Sequence, residues 1–438
     1  MRTNRLFSTG PAASVSPSAA LAKAASVSPS AAFAKAISPG FAILAKAISP
    51  GFAILAKAIS PGFAILAKAI VSVAILTGFV MPDVAYADDN DDGDLVVLDG
   101  GFAQVSLIGL LQTQIVPWQG DDALIVSGDQ ADTAGARIRR ARFGVKGWAW
   151  GEVDFELSLQ AATGGTDILD AWVGYRGLTG ISFIVGARKV PFSRFALMGA
   201  GDGALADRPL GVRALAPFRQ VGLTIEGDVG NGILRWALGA YNGFSRSQSF
   251  NEGYRETTAL EGNRFTRLAY VGRAELAPLG PVGDGMPDFA RGGFRLGVGG
   301  SVYYDPGKTV ETLGYEIDLI IKSSGFHFAA EFLSDSAEPS DQPTTDPVVP
   351  TAIDRMAFIA EAGYLLIGEE LGITARFELL DDNTAADNNG DQIAVTGGLQ
   401  YYLHRQHLKA QLEYTHRLEL EGVALDNDSL LLQVQFEL

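Results

Sequence analysis

Residues 136–160 read ARIRRARFGVKGWAWGEVDFELSLQ, so that Arg137, Arg139, Arg140, Arg142 and Lys146 fall within eleven residues and Glu152, Asp154 and Glu156 follow directly. A basic run of this kind could neutralise phosphates, and clustered carboxylates could hold a cation or move a proton. Three other stretches carry ligand-type side chains. DDNDDGDLVVLD sets Asp88, Asn90, Asp92, Gly93 and Asp99 at calcium-loop intervals, without the closing glutamate or flanking helices. DDNTAADNNGD (381–391) is acidic enough to gather divalent cations loosely. His404 and His407 have no cysteine or carboxylate at ligand spacing and read as a polar turn. No nucleophile elbow, phosphate loop or dinucleotide fingerprint occurs, and no Ser/His/Asp set stands out. No enzyme, cofactor or metal is expected.

The parity of the first stretch decides what its charges are for. Phe143, Val145, Val153, Phe155, Leu157 and Leu159 occupy odd positions. Arg140, Arg142, Lys146, Glu152, Asp154 and Glu156 occupy even ones. Successive side chains of a strand point to opposite faces, so this is a β-hairpin, folded about Ala149, with one apolar and one charged face. Its cations lie across from its acids, which quiets the charged face.

The same alternation recurs along the chain, for example in ILDAWVGYR (168–176), YEIDLIIK (315–322), LKAQLEYTH (408–416) and the terminal LLLQVQFEL. It predicts sixteen strands, starting near 101, 135, 151, 167, 181, 218, 232, 265, 291, 312, 325, 353, 370, 391, 406 and 427. The links alternate between tight turns and long polar loops, the latter at 117–134, 190–217, 243–264, 336–352 and 381–390. One link on the tight side, near 278–290, is longer than its fellows.

The N-terminal region is different in kind. SPGFAILAKAI occurs three times in succession over 38–70, then runs into AKAIVSVAILTGFVMPDVAYA, with Lys68, an apolar run and small residues at Ala85 and Ala87. Residues 1–87 therefore read as a repeat-containing leader that ends in a secretory signal peptide cleaved after Ala87. Residues 88–100 form a short acidic segment, and 101–438 the folded domain. Without 1–87 the net charge moves from −16 to −22, which argues against a nucleic-acid partner. Cysteine is absent, so disulfides and thiolate sites are excluded.

Dyad-repeat strands with alternating short and long links, behind a signal peptide, are the signature of an all-β fold: a transmembrane antiparallel β-barrel of about 16 strands, with short periplasmic turns and long extracellular loops. In lipid every backbone group must be paired, so the sheet must close. The apolar parity then faces hydrocarbon and the charged parity faces a water-filled lumen. The expected location is the cell outer membrane, with membrane lipid, small ions and hydrophilic solutes as partners.

RIRRARFGVKG, ILDAWVGYRGL, FIVGARKVPFSRF, APFRQVGLTIEG and LGAYNG, in that order, resemble the phosphate-selective porin O and P family over about 135–245. The resemblance implies a sixteen-stranded homotrimeric diffusion channel, anions such as phosphate among its solutes, and a third long loop folded inward. That loop is 190–217, which carries Arg194, Asp202, Asp207, Arg208 and Arg213 and follows Lys189. The family's phosphate channels carry a lysine cluster there, which this chain reduces to Lys189. Parity assigns to the pore wall Arg140, Arg142, Lys146, Glu152, Asp154, Glu156, Asp170, Arg176, Arg188, Arg235, Arg267, Arg273 and Arg295. Cations dominate expected strands four to nine. Acids, among them Glu316, Asp318, Glu331, Glu361, Glu378, Glu413 and Glu437, dominate ten to sixteen. The alternative reading is a non-conducting barrel whose outer loops serve adhesion, structure or hydrolysis.

Overall fold

The computed structural model describes residues 95–120, 134–161, 165–244, 254, 267–307, 310–339 and 352–438. The leader, the 88–94 motif and most of the 117–134, 243–264 and 336–352 loops lie outside the described residues.

Seventeen strands form one antiparallel sheet. They are β1 (Leu95–Gly100), β2 (Ala103–Gln119), β3 (Gly135–Ala149), β4 (Val153–Gln160), β5 (Asp167–Leu178), β6 (Ile181–Lys189), β7 (Arg219–Val229), β8 (Leu234–Tyr241) and β9 (Ala269–Leu276). The second half comprises β10 (Arg295–Asp305), β11 (Val310–Ser323), β12 (Phe326–Pro339), β13 (Ile353–Ile367), β14 (Leu371–Asp381), β15 (Gln392–His404), β16 (Leu408–Glu419) and β17 (Ser429–Glu437). Two short helices, α1 (Arg194–Leu197) and α2 (Leu210–Leu215), lie in the β6–β7 connection.

From β2 to β17 each strand pairs with the next, and β17 closes the ring on β2 through Leu430↔Trp118 to Glu437↔Leu110. The barrel wall therefore has the sixteen strands that the periodicity predicts. The acidic 88–100 segment adds a seventeenth. Strand β1 pairs with β2 over residues 103–107, just beyond the point where β17 leaves it. It covers backbone groups that the stagger of the seam would otherwise leave open. Among the described residues no helix is long and apolar enough to cross a membrane.

Burial runs inside out relative to a soluble protein. Val185 and Ile317 are about 60% exposed on the outer face, while Arg140, Arg355 and Glu331 are 1% exposed on the inner one. The charged parity is thus the interior.

The β3–β4 hairpin differs from its expected geometry by two residues. Lys146 stands opposite Glu156 and Trp148 opposite Asp154, so the turn is centred on Gly151, not Ala149. Trp150 and Gly151 both have positive φ, the primed turn that matches the strand twist, and glycine supplies the second of these positions without steric cost. Glu152 consequently sits in the exposed turn, off the strand face.

Two bulges also reset the parity. The β2–β3 register skips between Gln112↔Arg140 and Thr113↔Ile138. Arg139 and Arg140 are therefore both buried inside, and Ile138 points outward. A second bulge, between β4 and β5, leaves Leu169 buried next to Asp170.

Candidate channel lumen and constriction

The connection from β6 to β7 enters the barrel and is held there along its whole course. Its start, VPFSRF (190–195), is fully enclosed, and Ser193 Oγ accepts from Ala196 N at 3.1 Å to cap α1. Arg194 donates to Asp318 Oδ1 at 2.6 Å and to Glu275 Oε2 at 2.5 Å. Phe195 N donates to Glu331 Oε2 at 3.1 Å. The tip, residues 199–204, is small and glycine-rich, and its carbonyls meet donors from the far side of the barrel. Lys409 Nζ donates to Gly201 O at 2.6 Å and Gly203 O at 2.7 Å. Gln112, Gln411 and Gln435 donate to Ala200 O, Ala204 O and Gly201 O. On the return, Ala206 N donates to Glu413 Oε1 at 2.6 Å and Leu210 N to Glu378 Oε2. Asp207 accepts from Arg139 at 3.0 Å, and Arg208 donates to the carbonyls of Phe195 and Met198. Arg213 lies buried in α2, lining a small outer cavity of about 60 Å³ with Arg137, Asp207 and Arg417.

Packing supports the same course. Ile320, Ala329, Leu333, Ala357, Ile359 and Leu380, all on the inner parity of β11–β14, join Phe195, Val212 and Leu215 in one buried cluster. A Cβ at Gly211 would overlap that of Ala357, so α2 approaches β13 as closely as glycine permits. The signal was in the sequence. FAAEFL, MAFIAEAG and FELL are apolar on both parities, as strands covered on both faces are.

Other wall residues pair between adjacent strands or across one intervening strand. Asp154 meets Arg176 at 3.3 Å, Asp170 meets Arg219 at 2.9 Å, and Arg188 meets Glu226 at 2.9 Å. Arg235 bridges Glu275 and Asp284, and Arg273 bridges Glu316 and Asp318. Arg142 donates to Gln160. Lys189 Nζ donates to the carbonyls of Leu197 and Met198, fastening the start of the loop to β6. Arg267 precedes β9 and binds the carbonyls of Pro306 and Gly307 at the outer rim. Arg295 is buried against Asp288.

The long β9–β10 link, residues 277–294, also folds inward, from the tight-turn side. Val282, Met286 and Asp288 are fully buried, and Met286 N donates to Asp202 O at 3.1 Å. Two cavities, about 460 and 560 Å³, remain along β3–β9, the first reaching also β2, the β15–β16 turn and Glu437, and both are bounded by the loop and this link. Ten cationic side chains and eight carboxylates line them. Among the described residues no group of three or more metal-ligating side chains comes together.

A closed sixteen-stranded barrel with apolar outer face, charged interior and an inward-folded third loop defines an outer-membrane porin. Residues 117–281 match the family model described as phosphate-selective porin O and P, which spans the end of β2 to the β9–β10 link. The fold is that of OmpT from Vibrio cholerae, with a TM-score of 0.51 at 12% identity over 78% of this chain and 99% of that one. It is also that of a Salmonella typhi OmpF complexed with daunomycin, with a TM-score of 0.51 at 12% identity over 78% of this chain and 100% of that one. The outer membrane channel DcaP of Acinetobacter baumannii gives 0.50 at 12% identity, over 78% and 99%. No curated protein matches the sequence. The chain is a channel protein of the cell outer membrane.

Proposed function

We propose that the chain passes small ions and hydrophilic solutes through a narrowed, weakly anion-preferring lumen, with 190–217 as its constriction loop. The observation that carries this is the division of labour around the wall. Asp318, Glu331, Glu378 and Glu413, on β11, β12, β14 and β16, are engaged by the loop's own N–H and guanidinium donors. The acidic sector thus docks the loop, and the water-filled space falls beside the basic sector, with its small excess of cationic side chains. Fixed charges of this kind bias which ion enters. Phosphate is a candidate solute by the family match, although the lysine cluster is reduced to Lys189.

Cleavage after Ala87 and a homotrimer belong to the same proposal. Strands β4 and β6–β9 have 8–11 residues, and β11–β13 have 14–15, which gives the barrel one low wall suited to contact between copies.

The test is single-channel conductance of the refolded 88–438 chain, with the reversal potential in a tenfold KCl gradient and phosphate added as blocker. Stable steps, a reversal potential on the chloride side and block by phosphate are expected. A folded barrel without conductance would sink the channel reading, and a zero reversal potential the anion preference.

A further inference from the structure

We infer that Asp284, on the periplasmic β9–β10 link, is a specificity-determining residue of the channel: a fixed negative charge set opposite the basic wall where the two lumen cavities meet. The inference rests on the channel reading.

The link is built to hold one side chain in place. Val282 and Met286, two residues to either side of Asp284, are fully buried in the core that the loop forms inside the barrel. Asp288 is fully buried, receives Arg295 and accepts from Gly325 N at 2.8 Å. Met286 N donates to Asp202 O at the tip of the inward loop, so the two segments brace each other. Between these anchors the Asp284 side chain is 66% exposed. It lines both the 460 and the 560 Å³ cavity, and among the described residues it shares that position with Arg188 and Lys189 alone.

Its charge is secure. Enclosure by the barrel would raise the carboxyl, but Arg235 beside it, then Arg194 and Lys189, hold it below the ordinary aspartate range. The side chain is solvent-accessible although protein surrounds it, as befits a group in a narrow aqueous lumen. Asp284 pairs with Arg235 at 3.1 Å, and Arg235 also holds Glu275 at 2.6 Å. Removal of the Asp284 charge therefore leaves Arg235 partnered and the wall intact, while the passage becomes more positive. Anions gain and cations lose.

The experiment uses protein purified from outer membranes of a host lacking its own porins, in planar bilayers. Asp284→Asn should raise the chloride-to-potassium permeability ratio by about two- to threefold at low salt, from one unit charge several ångströms from the ion path. The chain has no cysteine. Asp284→Cys can therefore be modified alone with methanethiosulfonate reagents of either sign. A sulfonate adduct should restore the wild-type ratio, and a trimethylammonium adduct should push it further toward anions. A conducting wild type whose ratio is unmoved by Asp284→Asn and by both adducts would overturn this assignment and leave the channel reading standing. A wild-type protein without conductance would overturn both.

Discussion

At the scale of single residues, the interior charges have two different jobs. Arg194 is 5% exposed and bonded to two carboxylates on different strands, Glu275 and Asp318, so it acts as a bolt between loop and wall. Its replacement by alanine takes one partner from each of two buried carboxylates, which keep Arg235 and Arg273, a loss of about 1.5–3 kcal/mol for a charge-assisted hydrogen bond of this kind. We expect Arg194→Ala to release the first arm of the loop, widen the channel and raise unit conductance, with the barrel still heat-modifiable on a gel. Unchanged conductance would mean that the loop is held without it. Arg176 and Asp154, at 46% and 31% side-chain exposure, are the other kind. Such a pair is screened and contributes little to stability. It remains available to set the field in the lumen.

At the scale of elements, the inward loop is positioned by backbone groups as much as by charge. Three wall glutamates receive loop N–H groups, and glutamines of β2, β16 and β17 reach its carbonyls. The glutamines are themselves linked, Gln112 to Gln435 at 2.7 Å, Gln114 to Gln433 and Gln433 to Gln411 at 2.8 Å, which fixes their orientation before the loop is counted. A glycine-rich tip fits because its carbonyls can approach the wall unobstructed. Helix α2 depends on the close approach at Gly211. Gly211→Leu should undock it, at a cost of about 1–3 kcal/mol for overpacking. The expected readout is faster proteolysis within 190–217, with the barrel itself still resistant. Equal cleavage rates in variant and wild type would remove α2 from the docking.

At the scale of the molecule, closure is what makes the fold possible in lipid. The β17–β2 seam pairs the chain's last residues with β2, and Leu438 N donates to Gly109 O at 2.9 Å. Deletion of residues 430–438 would open two edges to hydrocarbon, where each unpaired backbone group costs several kcal/mol. The truncated chain should give no heat-modifiable band after refolding; a compact band would mean that β1 or another segment can close the ring. The sixteen wall strands and most of their inward and outward faces were legible in the sequence, because alternation is local and closure in a bilayer leaves a single way to satisfy the backbone; the inward course of 190–217 was implied by the family resemblance and not by the alternation. The sequence carried traces of more. Ile138 lies out of phase with Phe143 and Val145, which marks the bulge that turns both Arg139 and Arg140 inward. The doubly apolar strands around Ala329 and Ile359 mark where the loop docks. Tertiary structure alone decided which charges meet. Arg194 finds Asp318 across 124 residues, and Lys409 finds Gly201 across 208. Partnerships at such separations depend on the register of every intervening strand and on the path of a loop, neither of which a period of two can encode.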